Sequence, residues 1–224
     1  MKAKNKLSPF LINEYFIKKY PINIPNYTSF STVNLIAKNT VGMTASPFTN
    51  QQKVYKWTGE YWECDIQIKA LTRSEFETFS AFLIKLKGMY GTFNLSPDPN
   101  GRTVRGSAST SAGSPVINGS TSANSSSIDI TGATTNATGY LKSGDYIQVG
   151  TQLLKVLDDV NTDGSGSATG INIFPQIRTA LSGSEAVIVD NAVGVFRLAE
   201  NDLTWNIGTA SIYGLSFSAI ESIT

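Results

Sequence analysis

Residues 61–88 read YWECDIQIKALTRSEFETFSAFLIKLKG, and this stretch holds both kinds of element from which the outer part of the fold is built. In its first third Trp62, Cys64, Ile66 and Ile68 alternate with Glu63, Asp65 and Gln67, the period of a strand with one buried and one wet face. Thr72 and Glu75 then form a capping box, in which Thr72 accepts from the Glu75 amide and the Glu75 side chain returns to the Thr72 amide. Phe76, Phe79, Phe82, Leu83 and Leu86 follow at spacings of three and four. Lys85, Lys87 and Gly88 supply a cationic last turn and a stop, so a helix is predicted from Thr72 to Lys87. Near the C-terminus Tyr213, Leu215, Phe217 and Ala219 repeat the strand pattern. A helix laid on antiparallel sheet accounts for all three segments.

Working outward, composition changes sharply near Pro97. Residues 1–100 carry 12 Lys or Arg against 7 Asp or Glu and all three methionines, the make-up of a packed mixed domain. From Gly101 to Tyr140 there are 6 Gly, 9 Ser and 7 Thr, which fits either a flexible linker or strands of small residues joined by tight turns. Val116, Ile117, Ile128 and Ile130 recur at strand spacing between Gly and Asn turn signals and favour strands. Clearer strand runs are Tyr146–Val149, Leu153–Leu157, Ile171–Phe174 and Ala186–Val189. After Gly194 the aromatics return as Phe196, Trp205, Tyr213 and Phe217. The expected organisation is an outer domain from residues 1–100, with an N-terminal arm over 1–20, a small β-domain inserted at 101–192, and a return to the outer domain over 193–224.

The 224 residues include no run of eighteen apolar positions, which points to a globular chain without a bilayer-spanning helix. A net charge of +1 gives no global basic field of the kind that holds nucleic acid by counterion release. Histidine is absent, which removes the commonest general base and zinc ligand. Cys64 is the single cysteine, so neither an internal disulfide nor a cysteine metal site can form, and its place on the apolar phase of its strand marks a small buried hydrophobe. Lysines at positions 2, 4 and 6 precede an apolar stretch broken by Asn13 and Glu14, so no signal-peptide core follows and the protein is expected to act where it is made.

Among sites, Asp159, Asn161, Asp163 and Gly164 match the opening of a calcium loop. The twelfth position, however, is Gly170 instead of an acid, and the flanks read as strands, so a hairpin turn is the preferred reading. Asp158 with Asp159, and Glu60, Glu63 and Asp65, raise the idea of a glycan-cleaving carboxylate pair, but solvated surface explains them better because no apolar pocket accompanies them. Gly101–Gly106 and Gly164–Gly170 lack the lysine and following helix of a phosphate loop. Lys4, Lys6, Lys18 and Lys19 with Tyr15, Phe16 and Tyr20 suit either nucleic-acid contact or an arm docked on a neighbouring subunit, the apolar stretch Phe10–Ile17 favouring the arm. No catalytic, cofactor-binding or metal-ligating residue is assigned, no cofactor is expected, and the chain is read as structural, not as an enzyme.

The order of features resembles distal tail proteins of long-tailed bacteriophages. It comprises a strand bearing Trp62, the helix from Thr72 to Lys87, Gly88-Met-Tyr-Gly91-Thr-Phe93 leading to Pro97-Asp-Pro99, an inserted β-domain, and Phe196-Arg-Leu198 to Phe217-Ser-Ala-Ile-Glu221. Leu141-Lys-Ser-Gly144-Asp-Tyr-Ile-Gln-Val149, Asp158 to Gly166 and Ile173-Phe-Pro-Gln-Ile-Arg178 are similar to tail-tip proteins as well. The resemblance implies a mainly β fold with one helix: a tail-tube-like β-sandwich belt domain interrupted by a small barrel like an oligonucleotide/oligosaccharide-binding (OB) fold. It also implies a hexameric ring at the distal end of the tail tube, joining tube protein to tip hub or baseplate, with DNA passing through the lumen without sequence-specific binding. Such a protein is assembled in the host cytoplasm and resides in the virion at the tail tip. In some relatives the outward barrel binds carbohydrate or holds a side-fibre or receptor-binding protein. Here that segment lacks tryptophan and has Tyr140 and Tyr146 as its only tyrosines, a thin stacking platform.

Overall fold

A computed structural model describes residues 20–25, 30–98, 101–204, 206–207 and 213–223. Its elements in chain order are β1 (Ile22–Asn23), β2 (Phe30–Lys38), β3 (Val41–Ala45), β4 (Gln52–Lys56), β5 (Tyr61–Ile68), α1 (Arg73–Leu86) and β6 (Thr92–Leu95). There follow β7 (Gly113–Ile117), β8 (Ser127–Ala133), β9 (Tyr146–Val149), β10 (Gln152–Val156), β11 (Ala168–Phe174) and β12 (Val187–Ile188). The last strands are β13 (Gly194–Leu198), β14 (Asn206–Ile207), β15 (Tyr213–Gly214) and β16 (Ser216–Glu221). The fold is thus mainly β with one helix among the described residues, and one of its sheets is barrel-like.

The first sheet runs β1-β6-β13-β16-β5-β2, antiparallel except for the β1–β6 pair. Alternation in β5 places Trp62, Cys64, Ile66 and Ile68 inside, where they meet Phe76, Phe79, Phe82, Leu83 and Leu86 of α1. Rings knit this core edge to face: Phe82 lies 5.9 Å from Phe93, and Phe79 5.7 Å from Phe82. Each large apolar side chain so buried contributes about 1.5–3 kcal/mol, which is why a helix of this length holds although it is marginal in isolation. At its start Glu75 Oε2 accepts from the Thr72 amide at 2.9 Å and the Thr72 hydroxyl at 2.7 Å. At its end Lys87 itself takes the left-handed conformation (φ 55°), one residue before the glycine, and its amide donates to Ile84 O. The opposite face of the sheet is wet, with Asn34, Asp65, Gln67, Ser216 and Ser218 exposed.

The second sheet runs β12-β9-β10-β11-β8-β7 and nearly closes. Val116 bridges to Ala186, and the Ile117 amide donates to Glu185 O at 2.9 Å, joining the first and last strands. Its own core contains Ile117, Ile128, Ile130, Ile147, Leu154, Val156, Ile171 and Ile173. The Gly/Ser/Thr-rich tract is therefore strand and turn, with Ile117, Ile128 and Ile130 pointing inward. Asp145 fixes the chain before β7 to the turn before β9. Its fully buried carboxylate accepts from the amides of Arg105 (3.0 Å), Gly106 (3.2 Å) and Lys142 (2.8 Å) and from Arg105 Nε (3.2 Å). The chain passes into this sheet and back at neighbouring points: Gly194 lies opposite Leu95, and Thr103 Oγ1 accepts from the Ala192 amide at 3.3 Å.

Candidate functional site

Two features distinguish the surface and the interior. One is a projecting hairpin. The β2–β5 ribbon continues past Lys38 and Tyr61 as β3–β4, after an irregular step where the Trp57 amide donates to Thr40 O at 2.9 Å. Beyond that step the β3–β4 pair forms a two-stranded sheet of its own. Met43 stands opposite Val54 and Val41 opposite Lys56, which sets Val41, Met43 and Val54 on one face. On the other face Tyr55 stands opposite Gly42, where a Cβ would come within 2.9 Å of the Trp57 ring, so the missing side chain makes room for the indole. The tip closes by hydrogen bonds between Ser46 and Gln51 and between Asn50 and Ser46, and Phe48 on it is 95% exposed. Val41, Met43, Val54, Tyr55 and Trp57 are also exposed. The hairpin is not among the sequence expectations, although a signal for it is present: Val41, Met43 and Ala45 alternate before a Ser-Pro and Thr-Asn turn.

The other feature is the junction between the two sheets. Trp62 projects from β5 so that its Nε1–H donates to Leu153 O at 3.1 Å. Its ring meets Phe174 edge-on at 4.9 Å and Tyr146 at 5.9 Å. Beside it Glu221 Oε2 accepts from the Trp62 amide (3.0 Å) and from Arg178 Nη2 (3.1 Å). Burial raises the Glu221 carboxyl above its ordinary value, and the Arg178 charge opposes that rise. Glu60, also buried, pairs with Lys56 at 2.6 Å and accepts from the Gln176 amide at 3.1 Å. Gln152 completes the set, donating through Nε2 to Gln176 O and accepting from the Arg178 amide. Each of these two carboxylates has one cation and one amide donor, the condition under which burying charge is tolerated. Trp62 and Glu221, 159 residues apart, and the Phe174–Arg178 segment are here brought into one cluster. The arrangement is a fastener between two cores, and Gln152, Arg178 and Glu221 also line a small cavity of about 150 Å³.

The remaining sequence candidates serve local structure. Asp163 Oδ1 accepts from the amides of Ser165 and Ser167, both at 2.8 Å, and these bonds hold its carboxyl below the usual range. Asn161 Oδ1 accepts from the Gly139 amide, and Asp159 binds Lys142 Nζ at 2.8 Å and the Ser143 amide at 2.9 Å. Asp158 accepts from Asn172 Nδ2. The oxygens suggestive of a calcium loop are thus engaged by protein donors, and no group of three acids or other metal-binding side chains gathers among the described residues. Of the acids near β5, Glu63 pairs with Lys38 at 2.9 Å and Asp65 accepts from the Ser218 hydroxyl, whereas Glu60 departs from the surface reading by sinking into the junction. Cys64 is fully buried and its thiol is pushed up to about 12 by burial. Tyr20 donates to Lys85 O at 2.7 Å; Lys4, Lys6, Lys18, Lys19, Tyr15, Phe16 and the Phe10–Ile17 stretch lie outside the described residues, as does Trp205.

Two grooves lie away from the junction cavity. One of about 480 Å³ crosses the wet face of the first sheet between Asp65, Gln67, Ser218 and the Glu200–Thr204 segment. The other, about 240 Å³, lies on the barrel and is lined by Ser120, Thr121, Ser122, Ser125, Ser127 and Asp129, with no ring in its wall. Tyr140 is buried with its hydroxyl on Ala112 O, and Tyr146 belongs to the junction, so neither tyrosine forms a stacking platform on the barrel. No family model and no curated protein matches the chain.

Proposed function

We propose that this protein is a structural component of a bacteriophage tail, a subunit of a ring, hexameric by the resemblance, at the distal end of the tail tube. In this role it joins the tube protein to the tip hub around the DNA channel, in the virion and after assembly in the host cytoplasm, and it carries out no catalysis. The observation that carries the reading is the β3–β4 hairpin. Its three aromatics, Phe48, Tyr55 and Trp57, are 95%, 48% and 56% exposed, and Val41, Met43 and Val54 are exposed on the face opposite Tyr55. Large apolar side chains standing in water on both faces and at the tip of one hairpin support a surface that a partner covers. The wet sheet face and the fastened barrel suit a rigid module in an assembly. A glycan- or fibre-holding barrel has less support, since the hydroxyl-lined groove offers no ring for stacking.

Electron microscopy of the purified full-length chain tests the reading. Closed rings with a central hole are expected. A monodisperse monomer at high concentration, by light scattering, refutes it.

A further inference from the structure

The two carboxylates at the junction draw their cations from different places. Glu221, at the end of β16, takes its cation from the barrel itself, through Arg178, whose side chain is 18% exposed. Glu60, just before β5, takes its cation from the hairpin: Oε1 pairs with Nζ of Lys56, the last residue of β4, at 2.6 Å. Its other oxygen, Oε2, accepts from the Gln176 amide of the barrel at 3.1 Å. One buried carboxylate therefore bridges hairpin and barrel, and its counter-charge is carried by a side chain that is 55% exposed. The chain between Lys56 and Glu60 is stitched to the hairpin base. The Trp57 amide donates to Thr40 O at 2.9 Å and the Thr40 hydroxyl to Gly59 O at 2.7 Å, and a Cβ on Gly59 would come within 2.6 Å of Thr40 Oγ1. On the barrel side Gln176 Oε1 is buried with no donor among the described residues, so the closed junction carries one unpaired polar atom, a cost that opening relieves.

We infer that the Lys56–Glu60 pair is a charge latch coupling the hairpin to the barrel, so that drawing the Lys56 ammonium away from Glu60 loosens the barrel at Gln176. Without Lys56 the Glu60 carboxylate is a buried charge left with a single amide donor, and removing one partner of a buried pair is costly because the other charge stays uncompensated. Turning Glu60 toward water relieves that cost and breaks its bond to the Gln176 amide. The Glu221–Arg178 pair does not share this dependence, since neither of its members belongs to the hairpin. Whatever takes the Lys56 ammonium at the hairpin is thus felt in the barrel, whether or not the chain assembles with other copies.

Hydrogen exchange in the full-length chain tests the latch. The reporters are the Gln176 amide and the Trp62 indole N–H, which donates to Leu153 O across the junction. Lys56→Met is expected to speed exchange at both by about tenfold, while the core amides of α1 and of β8 to β11 exchange as in the wild type. Lys56→Arg keeps the cation and leaves both reporters near their wild-type rates. Lys56→Met combined with Glu60→Gln removes both charges and keeps an acceptor for the Gln176 amide, so the reporters return toward wild type. Unchanged reporters in Lys56→Met overturn the latch. Acceleration by the same factor in Lys56→Arg does so as well, as does an equal rise in α1 and in both cores, which marks a general loss of stability. If Glu60→Gln fails to rescue Lys56→Met, the effect belongs to lost packing of the lysine stem and the latch is again overturned.

Discussion

Replacing Trp62 by alanine separates the two cores. The side chain is 3% exposed and fills the space between β5, Leu153, Phe174 and Tyr146. Truncating a buried Trp to Ala costs about 3–5 kcal/mol. That figure includes a lost hydrogen bond to Leu153 O, about 0.5–1.5 kcal/mol, and two ring pairs of about 0.5–1.5 kcal/mol each. Set against a typical total of about 5–15 kcal/mol, the loss is about a fifth or more of the stability of the sheet that contains Trp62. For a unit of about 100 residues it lowers the melting temperature by roughly 12–40 °C. The barrel keeps a core of its own, so calorimetry is expected to resolve two transitions in the variant, the lower one belonging to the α1-bearing sheet. Hydrogen exchange assigns them: amides of α1 and β5 lose protection while those of β8 to β11 keep it. Trp62→Phe retains a ring against Phe174 and Tyr146 and is expected to lose only about 1 kcal/mol, the donor's share. A single transition with protection lost equally in both sheets refutes separable cores, and an unchanged melting temperature in Trp62→Ala refutes the fastening role of the indole.

Because Gly194 lies opposite Leu95, joining Ser96 to Val193 through a short Gly/Ser linker and omitting what lies between is expected to leave a soluble protein with the α1 circular dichroism signal and reduced stability; loss of that signal shows that the first sheet depends on the barrel. Glu185 accepts from the Ser182, Gly183 and Ser184 amides and the Ser182 hydroxyl, and these bonds hold its carboxyl at about 2 against an ordinary 4.5. Its contribution to barrel stability is therefore complete above about pH 4.5 and lost as pH falls toward 2. In Glu185→Gln the acid side of the pH–stability curve flattens between those limits, and a curve parallel to that of the wild type refutes the assignment.

The helix was legible in residues 72–88 because its determinants are local: the Thr72–Glu75 cap and the three-and-four spacing of its aromatics act within a few turns. The strands of the barrel were legible for the same reason, since alternation and Gly/Asn turns declare themselves over five to ten residues. Absence of histidine and a single cysteine removed whole classes of chemistry before any fold was known. Periodicity also placed Trp62 and Cys64 on an inward face. It did not say what that face would meet. Glu60 is one acid among several in sequence, and it is buried because the Gln176 amide, 116 residues away, and Lys56 supply its partners. Glu221 is held in the same way by Arg178 and the Trp62 amide. The hairpin shows the converse: its residues have the composition of a core and are exposed, because no element among the described residues reaches them. An apolar pattern in sequence records that a side chain is to be covered. Which surface covers it, and whether that surface belongs to the same molecule, depends on the order of strands in the sheet and on contacts between distant segments, and only the tertiary structure decides those.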